Sequence, residues 1–219
     1  MIIWLASYPK SGNTWLRAMI ASYFYTNDGI FDFNVLEQID QFPSYTHFEH
    51  YNDKFERPES TTKYWFDAQT NINKDKKLKF LKTHNALCKI EDNEFTDKRN
   101  TLGAIYIIRD PRNVFTSLKN HFSYDDEKAL QMILDKKNIL MSKGYETFSY
   151  IGSWASNYLS WLKYKNFRRL FVKYEDLLEN KYETFRDIIV FSNTLMNRSE
   201  GVDKSKLQKA IETTNFDVL

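Results

Sequence analysis

The residues best suited to chemistry fall in short clusters, each just after an apolar run. Tyr8-Pro9-Lys10-Ser11-Gly12-Asn13-Thr14-Trp15 follows the run Ile2 to Ala6 and leads into Trp15, Leu16, Met19, Ile20 and Phe24, which recur at helical spacing. A turn between a buried strand and a helix gathers main-chain N–H groups that lack helical partners, so it cradles a phosphate, and a lysine there adds a point charge. The spacing departs from G-x-x-x-x-G-K-[ST], because Lys10 precedes Gly12 and the first glycine of that pattern is missing. An ordinary ATPase loop is therefore disfavoured. A second cluster, Ile108-Arg109-Asp110-Pro111-Arg112, is followed by Ser117. An arginine at a strand end forks onto a phosphate, and a hydroxyl two turns along the next helix approaches the same anion. Arg112 is expected to be solvated and outside the site, and the bland alternative for Arg109 is an ion pair with Asp110 or Asp176. Lys82-Thr83-His84 closes a third run, with a histidine that is either functional or structural. Tyr174-Glu175-Asp176 closes a fourth. His47, His50 and His121 lack such context and are read as surface or packing residues.

These clusters need elements that carry them to one place. Strands are expected over Ile2 to Ala6, Leu78 to Leu81, Thr101 to Ile108 and Leu170 to Tyr174. Helices are expected to about Tyr25, from an Asp110 N-cap and Pro111 through Phe122, over Asp125 to Lys137, and over about Tyr182 to Leu195 and Lys204 to Thr213. Phe148, Ile151, Ala155, Tyr158, Leu159 and Leu162 predict a further amphipathic helix. Asn27 to about Lys77 reads as loops and short helices and is the expected acceptor-facing region, where Phe42, Tyr45 and Phe48 line a pocket or join the core. Strands alternating with helices predict an α/β fold of three layers, α/β/α, with a central parallel sheet. Ligands of such sheets sit beyond the carboxyl ends of the strands, which puts Lys10 and His84 on one edge.

The clusters resemble the sulfotransferase family that uses 3′-phosphoadenosine 5′-phosphosulfate (PAPS). Its phosphosulfate loop reads Y-P-K-S-G-T-T-W, matched here at seven of eight positions with Asn13 in place of a threonine. The resemblance implies a P-loop NTPase-like fold in which Lys10, Ser11, Gly12, Asn13 and Thr14 hold the 5′ end of the cofactor and Trp15 stacks on its adenine. It further implies that Arg109 and Ser117 bind the 3′-phosphate and that Tyr174 contacts the nucleotide. Thr214-Asn215-Phe216 is similar to a later T-x-F, which makes Thr214 an adenine contact. Lys82-Thr83-His84 is similar to the family's K-T-H, with Asn85-Ala86 where Leu-Pro is usual. By the same resemblance Lys10, His84 and Ser117 form the catalytic set: His84 takes a proton from a small-molecule or glycan acceptor, and Lys10 stabilises the leaving phosphate oxygen without a metal. The family's basic closing loop over the 3′-phosphate is expected to be missing, since it lies beyond the position of Leu219. The alternatives are a nucleotide or small-molecule kinase on the same kind of sheet and a nucleotide-binding protein without catalysis.

Composition bounds the rest. A length of 219 residues suits one domain, and 42% hydrophobic with 16% aromatic residues suits a packed core. The 31 basic and 29 acidic residues nearly cancel, so an anionic ligand must be held by local groups and a nucleic-acid surface is not expected. Cys88 is the single cysteine, which excludes an internal disulfide and suits a reducing, cytoplasmic setting. No apolar run reaches membrane-spanning length, and no metal-ligand pattern appears. The oligomeric state stays open.

Overall fold

Alternation along the first strand decides which layer each side chain joins. Strand β1 (Ile2–Ser7) is buried throughout; it sends Ile3 and Leu5 into one apolar cluster and Ile2, Trp4 and Ala6 into another. The computed structural model describes residues 1–51, 58–141 and 148–215. Its strands continue as β2 (Lys79–Thr83), β3 (Lys89–Ile90), β4 (Asn93–Glu94), β5 (Thr101–Ile108), β6 (Ile139–Met141), β7 (Phe148–Tyr150) and β8 (Arg168–Lys173). The helices are α1 (Asn13–Tyr25), α2 (Trp65–Ile72), α3 (Pro111–Phe122), α4 (Asp126–Leu134), α5 (Trp154–Lys163), α6 (Tyr174–Glu179), α7 (Lys181–Leu195) and α8 (Lys204–Thr213). Between α1 and α2 the described residues include 3₁₀ turns at Phe33–Gln38, Tyr45–His47 and Pro58–Tyr64.

Four strands form the central sheet in the order β2-β1-β5-β8, with every pairing parallel. Residues of α1, α6, α7 and α8 cover the face that holds Ile3, Leu5, Ile105 and Ile107. The opposite face carries Trp4 and Tyr106 under Trp65 of α2, Trp161 of α5, and Phe42, Phe48 and Phe95. This is the three-layer α/β/α arrangement expected from strand and helix alternation. A third cluster joins Tyr8 to Val114 and Leu118 of α3 and Ala129 and Met132 of α4. It braces the loop after β1, because the Tyr8 hydroxyl also donates to the Met132 carbonyl at 2.6 Å.

Tyr174, expected to end the fourth sheet strand, instead opens α6, and β3 with β4 and β6 with β7 form two small antiparallel pairs that the pattern did not announce. The largest difference is in the fifth helix. The helix read from Phe148 onward begins only at Trp154, after a Ser153 N-cap, while Phe148 lies in β7 paired antiparallel with β6. Its buried residues are Asn157 and Trp161, and Leu159 and Leu162 are exposed. The apolar pattern marked the wrong face because the inward face holds a polar residue, Asn157, whose amide is satisfied inside the fold. Phe42 and Phe48 are core, whereas Tyr45 is exposed. Cys88 is half-buried, and burial pushes its thiol up to about 12.

Candidate active site

The ends of β1, β2 and β5 open on a cleft of about 540 Å³ that Lys10, Lys82, His84, Arg109 and Ser117 all line. Each of these residues leaves a strand end or the first turns of the following helix, which is where an open parallel sheet presents ligand-binding groups. The loop from β1 to α1 turns sharply, with left-handed backbone at Lys10 (φ 64°) and Gly12 (φ 93°). Gly12 is required twice over: its φ suits a residue without Cβ, and a Cβ there would lie 2.5 Å from the Tyr174 ring. Helix α1 has Gly12 at its N-cap and no side-chain cap, so its first main-chain N–H groups, which by helix geometry lack internal partners, face the loop.

Arg109 is fixed from two sides. Its guanidinium donates to the Lys10 carbonyl at 3.0 Å and lies 4.2 Å from the centre of the Tyr174 ring, while its Nε is buried without a partner. Neither Asp110 nor another carboxylate pairs with it among the described residues; Asp110 is taken by Arg112 at 2.5 Å. The arginine-to-carboxylate alternative for Arg109 fails because Arg112 sits nearer in the first turn of α3, where Asp110 also caps the helix. Arg112 is solvated, with its side chain 89% exposed, as its position in the first turn predicts.

Cations dominate the electrostatics. Burial lowers the Lys10 pKa, and the charge of Arg109 lowers it further. Burial, then Arg17 and Lys10, brings Lys82 down to about 8. Lys10, Lys82 and Arg109 enter none of the ion pairs formed among the described residues. Like charges held together without a carboxylate suit a polyanion, which removes their mutual repulsion. His84 is pushed down to about 3 by burial and by Lys82 and Lys10, with the Ser7 carbonyl acting in the opposite direction. It is therefore neutral at neutral pH. Its Nδ1 lies 2.9 Å from the Ser7 carbonyl, an acceptor only, so Nδ1 carries the proton and Nε2 is left as a lone pair.

The other expected residues are distributed unevenly. Gly12, Asn13, Thr14, Trp15 and Tyr174 line the same cleft. Ser11 is 1% exposed with its hydroxyl unpartnered, and Asn13 is 3% exposed. Trp15 is 2% exposed, meets Tyr174 edge to face at 5.9 Å, and has Lys181 over its ring at 5.1 Å. Thr214 is fully buried outside the cleft lining, with its hydroxyl donating to the Ala210 carbonyl at 2.6 Å. Its neighbour Phe216 lies outside the described residues. Pro9, Gln41, Phe122 and Leu140 also line the cleft, and two ionisable cleft residues were missed. Lys82 stands two positions before His84 along an extended segment, and that period-2 spacing places both on one face. His121, read as surface or packing, lies four residues after Ser117 on α3 and lines the cleft with Phe122. Of the expected acceptor-facing segment, only Gln41 lines the cleft among the described residues.

A profile of the sulfotransferase domain matches residues 2–219. The chain belongs to the sulfotransferase-domain family. Among solved structures it is similar to a mouse sulfotransferase, SULT7A1, crystallised in complex with PAP, with a TM-score of 0.56 and 20% identity. The similarity covers 99% of this chain and spans 64% of the mouse chain's length. It bears on the fold, in which this sulfotransferase-family chain carries the same kind of sheet. Among the described residues no three His, Cys, Asp or Glu side chains converge as a metal-holding group, and no helix is long and apolar enough to cross a membrane.

Proposed function

We propose that this chain moves a sulfuryl group from PAPS to an acceptor hydroxyl or amine on a small molecule or glycan, in a reducing, cytoplasmic setting. The observation that carries the reading is the meeting of Lys10, Lys82 and Arg109, without carboxylate partners among the described residues, beside a neutral histidine at the carboxyl edge of the sheet. The residues fit a phosphosulfate nucleotide: the buried Ser11 hydroxyl and Arg109 Nε have no partner among the described residues, and the start of α1 offers uncapped N–H groups. In this reading Lys10, Ser11, Gly12, Thr14 and the main chain of Asn13 hold the 5′ end, Arg109 and Ser117 hold the 3′-phosphate, and Trp15 and Tyr174 serve the adenosine. Thr214, fully buried outside the cleft with its hydroxyl on the Ala210 carbonyl, is not an adenine contact. When bound, PAPS supplies an activated sulfuryl group whose leaving group is a phosphate.

His84 accepts the acceptor's proton on Nε2. Lys10 and Lys82 stabilise negative charge that develops across the transferring centre, an effect typically worth about 3 kcal/mol per preorganised donor. Phe122 and Leu140 give the cleft an apolar wall beside Gln41 and His121, where an acceptor rests. Titration calorimetry with PAP and with ATP, followed by a radiolabel transfer assay from PAPS to a panel of phenols, alcohols, amines and sugars, tests the reading. PAP binding with transfer to at least one acceptor is expected. ATP binding in preference to PAP would favour a kinase, and PAP binding without transfer to any acceptor a non-catalytic nucleotide binder.

A further inference from the structure

Strands β5 and β8 leave the sheet side by side, because Ile108 and Lys173 are register partners at their ends. The next two residues of each chain go on meeting in the same order, now through side chains. The Arg109 guanidinium lies 4.2 Å from the centre of the Tyr174 ring, and the Asp110 N–H donates to Glu175 Oε1 at 3.0 Å. Asp110 is the N-cap of α3, and its own carboxylate is occupied by the N–H and the side chain of Arg112. In a capping box the N–H of the N-cap residue is taken by a glutamate at the third position of the same helix. Here that third position is Asn113, and the acceptor comes from α6 instead. Glu175 enters none of the ion pairs formed among the described residues, so its carboxylate serves this main-chain contact and not a cation.

We propose that Glu175 is a positioning residue for the 3′-phosphate site: it ties the turn from β5 to α3 onto α6, and so fixes together Arg109 and Ser117, the two groups that are to hold one anion. The inference rests on the proposed reading of the cleft as a PAPS site. Arg109 immediately precedes the tethered N–H, and Ser117 lies about two turns beyond it on α3, so a shift of this turn displaces both. The Tyr174 ring and the Lys10 carbonyl hold the tip of the Arg109 side chain, while Glu175 holds its root through the neighbouring peptide. A guanidinium that forks onto a phosphate tolerates little displacement, because hydrogen bonds weaken steeply as they lengthen or tilt. The contact is part-buried, so water takes the Asp110 N–H once the carboxylate is removed; the turn then loses its link to α6 while the sheet keeps its ladder. A glutamine keeps a carbonyl oxygen at the same reach and preserves the tether without the charge.

The test is titration calorimetry with PAP and with AMP, which has no 3′-phosphate, on wild type, Glu175→Gln, Glu175→Met and Glu175→Ala. Methionine keeps the length and the helix preference of glutamate without an acceptor, and the alanine variant guards against a methionine variant that fails to fold. Both are expected to lower PAP affinity about tenfold, the scale of one hydrogen bond to a charged group, and AMP affinity less than about twofold. Glu175→Gln should keep both affinities within about threefold of wild type. Three results overturn the positioning role and leave the nucleotide reading of the cleft standing: equal losses of PAP and AMP, an undiminished PAP affinity in folded variants without the acceptor, or a glutamine variant that behaves as the methionine one does. A wild type that binds PAP no better than AMP sinks the 3′-phosphate site itself, and the role of Glu175 with it.

Discussion

Lys82 shows how one side chain's surroundings become a measurable property of the protein. Its pKa is brought down to about 8 by burial and by Arg17 and Lys10, so it gives up its proton as the pH rises through that value. An anionic nucleotide prefers the charged form and drives proton uptake on binding. PAP affinity is therefore expected to fall between pH 7 and pH 9, by at most about tenfold per unit for one proton. Lys82→Met should weaken binding at pH 7 and flatten the slope, which calorimetry in buffers of different ionisation enthalpy reads directly. Equal slopes in the two proteins would remove Lys82 from the anion site. His84 contributes no slope in this range, because burial with Lys82 and Lys10 already holds it neutral, and in the proposed reaction its role is confined to the acceptor's proton. His84→Ala is expected to abolish transfer to a hydroxyl while PAP affinity holds within a fewfold. A parallel loss of PAP binding would make the residue structural.

At the scale of elements, the packing of Tyr174 against the loop after β1 sets the geometry of that loop, the proposed phosphate end of the cleft. Tyr174 opens α6, supports Arg109 from below at 4.2 Å, and occupies the space that a Cβ on Gly12 would need. Gly12→Ala combines strain from its φ of 93° with a Cβ placed only 2.5 Å from the Tyr174 ring, and the expected loss is about 1–3 kcal/mol of stability. In the Gly12→Ala/Tyr174→Ala double variant the steric part should be relieved and the backbone part retained. A double-mutant cycle by urea denaturation measures this coupling, and strictly additive losses would show that the ring and the loop do not press on each other. Helix α5 plays a similar part from the other side of the sheet. Asn157 donates to the His84 carbonyl at 3.0 Å and Trp161 donates to the Asn85 carbonyl at 3.0 Å, so the turn after β2 is held from its main chain. That contact explains why a tryptophan and an asparagine, rather than leucines, form the helix's buried face.

For the molecule as a whole, the near-neutral charge of +2 means that no broad field gathers a nucleotide, and binding energy comes from the cleft itself. The cleft is assembled from three strand ends and two helix starts distant in sequence, so occupation is expected to stabilise the entire fold. At a hundredfold excess over Kd, linkage contributes roughly 2.7 kcal/mol, which corresponds to about 5–10 °C in Tm for a domain of this size. Differential scanning fluorimetry with PAP should show this rise, and AMP, which lacks the 3′-phosphate, a smaller one. Equal shifts with both nucleotides would mean that Arg109 and Ser117 do not recognise the 3′-phosphate.

The alternation of strands and helices, the loop at Tyr8 to Trp15 and the Asp110-Pro111 helix start were all legible in the chain, because each depends on neighbours within a few residues. Periodicity and caps record local preference, so three of the four sheet strands, α1, α3, α7 and α8 emerge close to their expected bounds. The direction of individual side chains was not legible. Asn13 turns inward to Ser7, Arg112 draws Asp110 away from Arg109, and α5 buries Asn157 instead of Leu159. Each of these was settled by a partner that tertiary packing brought near; Ser7 and His84, for example, are 77 residues apart in the chain and 2.9 Å apart in the fold. A residue's type and spacing state what it is able to bond, and only the assembled sheet decides which of the available partners satisfies a buried polar group.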